Sequence, residues 1–140
     1  MHETYRMSSV VPLSLLHSTC EDVEFMGYEF PKDTIVMTNL HSVHNDPVYW
    51  GDPETFRPER FLTKDGSFKR DDRMVAFSLG RRYCIADKVA HKEFFLYLTN
   101  LIKNFEFKCH ANYPLPGIVG HPGMVLSPYP YKVVLEKRAR

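Results

Sequence analysis

Apolar residues recur along the chain with two different periods, and each period predicts a different kind of element. From Cys84 to Asn104 they return every three to four positions, which is the spacing of a helix. These positions are spread more widely than one stripe, so the helix is predicted to be buried around much of its circumference. A second helical pattern covers Met1 to Ser8 and ends ahead of Pro12, because the residue before a proline avoids the helical conformation.

Shorter segments carry the patterns of β-strands. Residues 23–30 alternate around Gly27, which predicts a hairpin. Residues 34–40 are rich in β-branched side chains and predict a strand with buried residues on both faces. Short strands are also predicted at 105–108 and 131–135. The proline-punctuated segment 45–72 is predicted to be ordered coil with no regular structure beyond short turns. The fold class is therefore mainly α with small antiparallel β-sheets (α+β).

Composition, charge and cysteine content exclude several classes of protein. The chain has 140 residues, of which 44% are hydrophobic, so a disordered or fibrous chain is excluded. There are 18 Lys and Arg residues against 17 Asp and Glu residues, and this balance gives no indication of nucleic-acid binding. The 3 cysteines are too few for a disulfide scaffold and indicate a reducing compartment. The longest uncharged stretch falls short of the ~20 apolar residues that span a membrane.

One loop combines features that indicate chemistry. Residues 77–86 form a glycine-containing segment in which Arg81 and Arg82 precede Cys84 at the start of the long helix. A cysteine there meets free backbone N–H groups and the positive end of the helix dipole, which favour a thiolate. Such a thiolate suits a soft metal or haem iron. The alternatives are a buried core cysteine and a nucleophile, although no His and acid pair lies near it in sequence.

This loop resembles the haem-binding loop of the cytochrome P-450 superfamily, whose pattern is Phe-x-x-Gly-x-Arg-x-Cys-x-Gly. Phe77, Gly80, Arg82 and Cys84 match the pattern, and Ala86 replaces the last glycine. The resemblance implies that Cys84 is the axial ligand of haem iron. It also implies that the other four residues surround the cofactor, with Arg82 binding a haem propionate.

Two further motifs agree with the family in order and spacing. Glu3 and Arg6 match its Glu-x-x-Arg helix, and Arg60 lies in a matching Pro-Glu-Arg-Phe segment. Glu3 and Arg6 are one helical turn apart, and the family order of the motifs implies that Arg60 supplies a second guanidinium to the same carboxylate. The three residues are therefore predicted to form a structural lock between helix and coil. The alternative is an ordinary surface pair of little energetic value.

Residues 11–17 resemble the family's strand that runs over the haem. His17 lies where the family commonly places a basic residue on a propionate, and residues 116–126 resemble its last substrate-contacting turn. The candidates for substrate contact are Val11, Leu13, Ser14 and Leu15.

The resemblance covers nearly the whole chain but only the C-terminal portion of a family member, and it is greatest to the microsomal animal type. Residues 1–140 are then one partial domain of an incomplete cytochrome P-450 fold. It comprises the end of the Glu-x-x-Arg helix, a β-hairpin region, a meander coil, the haem-thiolate loop, the long helix and a C-terminal β-hairpin. The implied upstream parts include a membrane anchor, and no catalytic residue falls in this segment.

The implied function is that of an oxidoreductase, a monooxygenase that inserts one atom of O2 into a small lipophilic substrate. The implied cofactor is haem b, with NADPH acting only indirectly through a flavoprotein reductase. A small acidic haem protein is a further candidate partner, and the implied location is the cytoplasmic face of the endoplasmic reticulum membrane. An excess of cations around the loop predicts a patch that steers an acidic partner; its members are Arg70, Arg73, Arg81, Lys88 and Lys92.

Two alternatives stay open on the sequence. The chain could be a catalytically incompetent partial product that binds haem weakly or not at all. A zinc module is the other reading, because four potential ligands occur in two pairs: His41, His44, Cys109 and His110. Zinc modules normally have a second ligand pair at a tight spacing, often Cys-x2-Cys, and this sequence has none, so the zinc reading is the weaker one.

Overall fold

The computed structural model describes residues 1–115, 117 and 120–139, which combine helices with small antiparallel sheets. This mixed architecture agrees with the sequence prediction. The helices are α1 (His2–Ser8), α2 (Leu40–His44), α3 (Pro47–Trp50) and α4 (Asp87–Asn104). The strands are β1 (His17–Ser18), β2 (Val23–Phe25), β3 (Tyr28–Phe30), β4 (Ile35–Val36), β5 (Phe105–Cys109) and β6 (Val133–Lys137).

The strands form three antiparallel pairs, of which one is a hairpin and two join strands that are further apart in the sequence. Strands β2 and β3 form the predicted hairpin, with Val23 opposite Phe30. Strands β5 and β6 pair over five positions, from Phe105 opposite Lys137 to Cys109 opposite Val133. Strands β1 and β4 pair over two positions, which places His17 opposite Val36.

Helix α4 corrects two predictions. It begins at Asp87 rather than Cys84, because the Cys84 amide donates to the Phe77 carbonyl and so continues the preceding loop. No residue of α4 is buried, and Phe95 and Ile102 are about half exposed. The helix meets the rest of the described chain mainly through one side, where the rings of Phe94 and Tyr5 lie 5.3 Å apart. Its other apolar faces are left uncovered.

The predicted strand over residues 34–40 is also shorter than the pattern indicated. Only Ile35 and Val36 pair, and Ile35 is 68% exposed, so the strand is not buried on both faces. The segment ends in a helix, because the Asn39 side chain accepts the Ser42 N–H at 2.9 Å and caps α2. Leu40, the first residue of α2, is buried.

Segment 45–72 is largely coil, as predicted, and carries one short helix and a 3₁₀ turn. Asp46 caps α3 by accepting the Val48 N–H at 2.9 Å. The 3₁₀ turn covers Pro58–Phe61 and brings Arg60 and Phe61 towards α1. Helix α3 and the 3₁₀ turn contact each other through Trp50 and Phe61, whose ring centroids are 6.0 Å apart.

The small core contains buried polar groups beside apolar ones. In the described residues the buried aliphatic and aromatic side chains are Leu40, Trp50, Phe61 and Val75. The buried polar and charged residues are Glu3, Arg6, Ser9 and His44. A core of this kind requires that each polar group find a hydrogen-bond partner. None of the buried side-chain nitrogen and oxygen atoms described lacks one.

Across residues 1–115, 117 and 120–139, no helix has both the length and the apolar content needed to span a lipid bilayer.

Candidate cofactor site

The loop that carries Cys84 is closed by its own backbone. We refer to residues 75–86 as the cysteine loop. The Ser78 N–H donates to the Val75 carbonyl at 2.8 Å, and the Cys84 N–H donates to the Phe77 carbonyl at 3.0 Å. Gly80 has a φ of 72°, a conformation that glycine adopts without the strain of a side chain. The pattern's glycine therefore permits the turn that returns the chain to Phe77.

Phe77 fixes this loop against two helices. Its ring centroid lies 5.3 Å from that of Tyr5 on α1 and 5.1 Å from that of His91 on α4. The Tyr5 hydroxyl also reaches the Ala90 carbonyl at 3.5 Å. These contacts hold Phe77, whose carbonyl accepts the Cys84 N–H, against α1 and α4.

Cys84 lies on the wall of a cleft of about 690 Å³. The lining is mostly apolar, and Arg81, Arg82 and His17 bring cationic or titratable groups to it. Among the described residues neither guanidinium forms an ion pair. The apolar and aromatic lining residues are Tyr5, Val10, Val11, Leu15, Leu40, Ala76, Phe77, Tyr83, Ile85 and Ala90.

The structure brings most of the predicted site residues to this cleft. Cys84, Arg82, His17 and Phe77 line it, as do the substrate-contact candidates Val11, Ser14 and Leu15. Leu13 does not line the cleft and is 45% exposed. Gly80 and Ala86 shape the loop without lining the cleft, and Ala86 is the N-cap residue of α4. In the turn predicted at 116–126, residues 116, 118 and 119 lie outside the described residues.

The second group of predicted residues does not line the cleft, but its members contact one another. We call Glu3, Arg6 and Arg60 the charged centre. The Arg6 guanidinium donates to both Glu3 carboxylate oxygens at 2.8 Å, and Arg60 Nε donates to Glu3 Oε1 at 3.3 Å. Glu3 and Arg6 are 2% and 0% exposed, so this is not the surface pair considered above.

The remaining donors of the two arginines bind backbone carbonyls of the coil, and Arg60 Nη2 also donates to the Asp52 carboxylate. Arg6 donates to the carbonyls of His44 at 2.7 Å and Pro53 at 2.8 Å. Arg60 donates to the carbonyls of Trp50 and Asp52, each at 2.5 Å. The charged centre therefore ties four backbone carbonyls between residues 44 and 53 to one turn of α1.

Burial and hydrogen bonding act in opposite directions on Glu3. Desolvation raises the pKa of this carboxyl, but hydrogen bonds from Arg6 and the Arg57 amide, with the positive charges of Arg6 and Arg60, outweigh it. The net effect is a pKa below the usual value. Glu3 is thus ionised at neutral pH and serves as the counter-ion of both guanidiniums.

His44 is a buried residue whose role the sequence did not indicate. Its Nδ1 lies 2.9 Å from Ser9 Oγ, and its Nε2 accepts the Val75 N–H at 3.1 Å. Burial, reinforced by the charges of Arg6 and His41, lowers the pKa of His44 from 6.5 to about 4. The sequence offered only its spacing from His41, a weak signal for a zinc pair.

The zinc reading gains no support from the described residues. They contain no group of three or more His, Cys, Asp or Glu side chains placed to hold a metal ion. His41 is exposed, whereas His44 is enclosed by its hydrogen bonds.

The chain was compared with protein families and curated proteins. The family model described as cytochrome P450 matches residues 1–135. Cytochrome P450 2L1 of Panulirus argus is 39% identical over 139 residues, which cover 99% of this chain and 28% of that protein. Farnesoate epoxidase of Bombyx mori is 37% identical, covering 97% and 27%. Cytochrome P450 2U1 of Rattus norvegicus is 38% identical, covering 97% and 26%.

The chain belongs to the cytochrome P450 family, so the resemblance identified from its motifs is confirmed. It spans about a quarter of the length of the curated relatives it matches. Membership implies a haem cofactor, and the cleft fits such a group. Its apolar lining suits the faces of a macrocycle, Cys84 offers a soft ligand, and Arg82 and His17 offer partners for carboxylates.

The neutral state of His44 predicts an acid-sensitive fold. The folded-state pKa of about 4 lies below the value of 6.5 assigned to an unperturbed histidine, so lowering the pH favours the unfolded chain. This contribution is complete above about pH 6.5 and is lost as the pH falls towards 4. Between about pH 7 and pH 5 the loss amounts to about 2 kcal/mol.

Urea unfolding of the protein at several pH values measures this contribution. A His44→Gln variant is the comparison, because it lacks the titrating ring while all other ionisable groups are unchanged. The wild-type free energy of unfolding should fall more steeply with acid than that of the variant. Parallel pH dependences would contradict a buried neutral imidazole.

Proposed function

We propose that this chain is the C-terminal part of a haem-thiolate monooxygenase. The whole enzyme is an oxidoreductase that transfers one atom of O2 to a small lipophilic substrate and releases the other as water. One observation carries the proposal: in a chain of this family, Cys84 lines an apolar cleft three residues before the start of α4, and Arg82 lines the same cleft. None of the residues of this segment is assigned a proton-transfer role.

Each lining group has a task in binding haem b. The Cys84 sulfur would bind the iron, while Arg82 and His17 would pair with the propionates. Phe77 and the other apolar residues would exclude water from the faces of the ring. When bound, haem supplies the redox-active iron at which dioxygen is activated, and thiolate ligation favours O–O cleavage.

The same cleft has a side suited to the substrate. Val11, Ser14 and Leu15 line it, and they belong to the segment that leads into β1. Two apolar side chains and one hydroxyl favour a lipophilic molecule with few polar groups. The segment therefore contributes one wall of a substrate site, and we assign the other walls to upstream parts of the whole enzyme.

Uncovered apolar surface supports the view that this segment functions inside a larger protein. Ile85, which lines the cleft, is 99% exposed, and Val89 on α4 is 57% exposed. Apolar surface of this kind is normally covered in a stable soluble protein. The alternative reading, a partial product that binds haem weakly and catalyses nothing, applies to the 140 residues acting by themselves.

Exposed cations near Cys84 support an acidic electron donor as partner. Arg81, Lys88 and Lys92 are exposed on the cysteine loop and α4. Arg73 contributes less than the sequence indicated, because it pairs with Asp46 at 2.7 Å and stacks over Tyr49 at 4.1 Å. We assign this patch to a flavoprotein that carries electrons from NADPH, with a small acidic haem protein as a second candidate.

The animal relatives also support a location. We infer that the whole enzyme resides at the endoplasmic reticulum membrane, facing the cytoplasm, through an anchor in a part of the protein upstream of this segment. Relatives that support this inference include cytochrome P450 2U1 of Rattus norvegicus and cytochrome P450 2D14 of Bos taurus.

Replacement of Cys84 by Ser tests the ligand assignment in the full-length protein. The variant should lose the long-wavelength Soret band that the reduced carbonyl adduct shows with thiolate ligation, because an alcohol does not replace the thiolate. Cys20→Ser is the control, since Cys20 is exposed and does not line the cleft. Loss of the band in the Cys20 variant together with retention in the Cys84 variant would overturn the assignment.

Charge reversal tests the partner surface. Lys88→Glu combined with Lys92→Glu should slow turnover supported by the reductase, and the difference should shrink at high salt because the attraction is electrostatic. Turnover driven by peroxide bypasses the reductase and should be nearly unchanged. The matched control reverses Lys32 and Lys64, two exposed lysines outside the loop and α4. Equal loss of both activities would show that Lys88 and Lys92 support the cleft instead.

A further inference from the structure

His44 lies at the junction of the charged centre and the cysteine loop. Its ring is fully buried, with 0% of the residue exposed. One ring nitrogen faces Ser9, the C-cap residue of α1, and the other faces the amide of Val75, the first residue of the cysteine loop. A single side chain thus joins helix α1 to the base of the loop.

The hydrogen bonds define the tautomer of this ring. Nε2 accepts the Val75 N–H, so it carries no proton. The neutral ring therefore carries its proton on Nδ1, which donates to Ser9 Oγ. The Ser9 hydroxyl in turn donates to the Arg6 carbonyl at 2.8 Å. The result is a directed chain of hydrogen bonds from the Val75 amide to the last turn of α1.

A second contact returns from the charged centre to the same residue. Arg6 Nη1 donates to the His44 carbonyl at 2.7 Å. The backbone and the side chain of His44 are therefore both held by α1. The Arg6 bond holds the backbone of His44, and the bonds to Ser9 and Val75 hold its ring, so the residue is a fixed point for the loop.

The Val75 amide provides the loop's hydrogen bond to a distant element. Among the described residues, the other hydrogen bonds of residues 75–84 join partners near in sequence, such as Ser78 to Val75 and Tyr83 to Asp87. Val75 and His44 are 31 positions apart. The loop is thus attached to distant parts of the chain by the aromatic contacts of Phe77 and by this one hydrogen bond among the described residues.

We propose that His44 is a positioning residue that holds the base of the cysteine loop in register with the charged centre, and thereby maintains Cys84 as the thiolate ligand. The proposal rests on the proposed function, since it concerns the same sulfur. His44 acts through Val75 and the loop closure at Phe77 and Cys84; it does not line the cleft.

The test compares variants of the full-length protein by two signals. The reduced carbonyl spectrum gives the ratio of the short-wavelength Soret band to the thiolate-type band, and circular dichroism gives the folded fraction. His44→Phe keeps an aromatic ring of similar size but leaves the Val75 N–H without an acceptor. It should raise the band ratio by about tenfold at temperatures where the protein is still folded, which is the effect of one unsatisfied buried donor.

Three further variants make the result specific. His44→Gln supplies an oxygen within reach of Val75 and should bring the ratio back towards the wild-type value. Ser9→Ala removes the acceptor of the Nδ1 proton and should give a smaller rise in the same direction. His41→Phe is the matched control, because His41 lies on the same helix and is exposed, and it should leave the ratio unchanged.

Each outcome decides the proposal. If the ratio of His44→Phe equals that of wild type, or if the thiolate band and the folded signal are lost together on heating, His44 is merely structural and the proposal is wrong. If His44→Phe does not fold, Ser9→Ala decides in its place by the same criterion. A wild-type protein without a thiolate-type band would overturn the proposed function itself, and this inference with it.

Discussion

The Glu3 carboxylate is the interaction on which the described structure depends. It is 2% exposed, and it accepts hydrogen bonds from two guanidiniums and from the Arg57 amide. An isolated buried carboxylate would be costly, and an isolated buried guanidinium equally so. Glu3 and Arg6 are acceptable in the core only as a set with Arg60, to which Asp52 supplies a further carboxylate. The coil has few ladder hydrogen bonds of its own, so this set gives it a defined position.

The position of the cleft depends on the same helix that carries Glu3 and Arg6. Helix α1 carries Glu3 and Arg6 on one side and Tyr5 on another, and the ring of Tyr5 contacts Phe77 of the cysteine loop. The last turn of α1 reaches His44, which binds the loop at Val75. The element that organises the coil therefore also positions the loop. This arrangement explains how Cys84 is held in a segment with few buried apolar side chains.

The sequence predicted the parts that depend on local pattern or on motif chemistry. Turn residues, helical spacing and a cysteine motif are local signals. They were sufficient to predict the hairpin at 23–30, the helix ending at Asn104 and the family. Burial was not readable in the same way. The apolar faces of α4 predicted a buried helix, but burial depends on what covers a face, and the described chain leaves Phe95 and Ile102 exposed. His44 was missed because its partners Ser9 and Val75 are distant in sequence.

A double-mutant cycle between Glu3 and Arg60 tests the central claim most directly. Glu3→Gln, Arg60→Met and the double variant of the full-length protein are unfolded in urea, and the coupling free energy is taken from the four stabilities. A buried, charged hydrogen bond predicts a coupling of roughly 1.5–3 kcal/mol. A coupling below about 0.5 kcal/mol, the value of an exposed pair, would contradict the claim that this carboxylate ties the coil to α1.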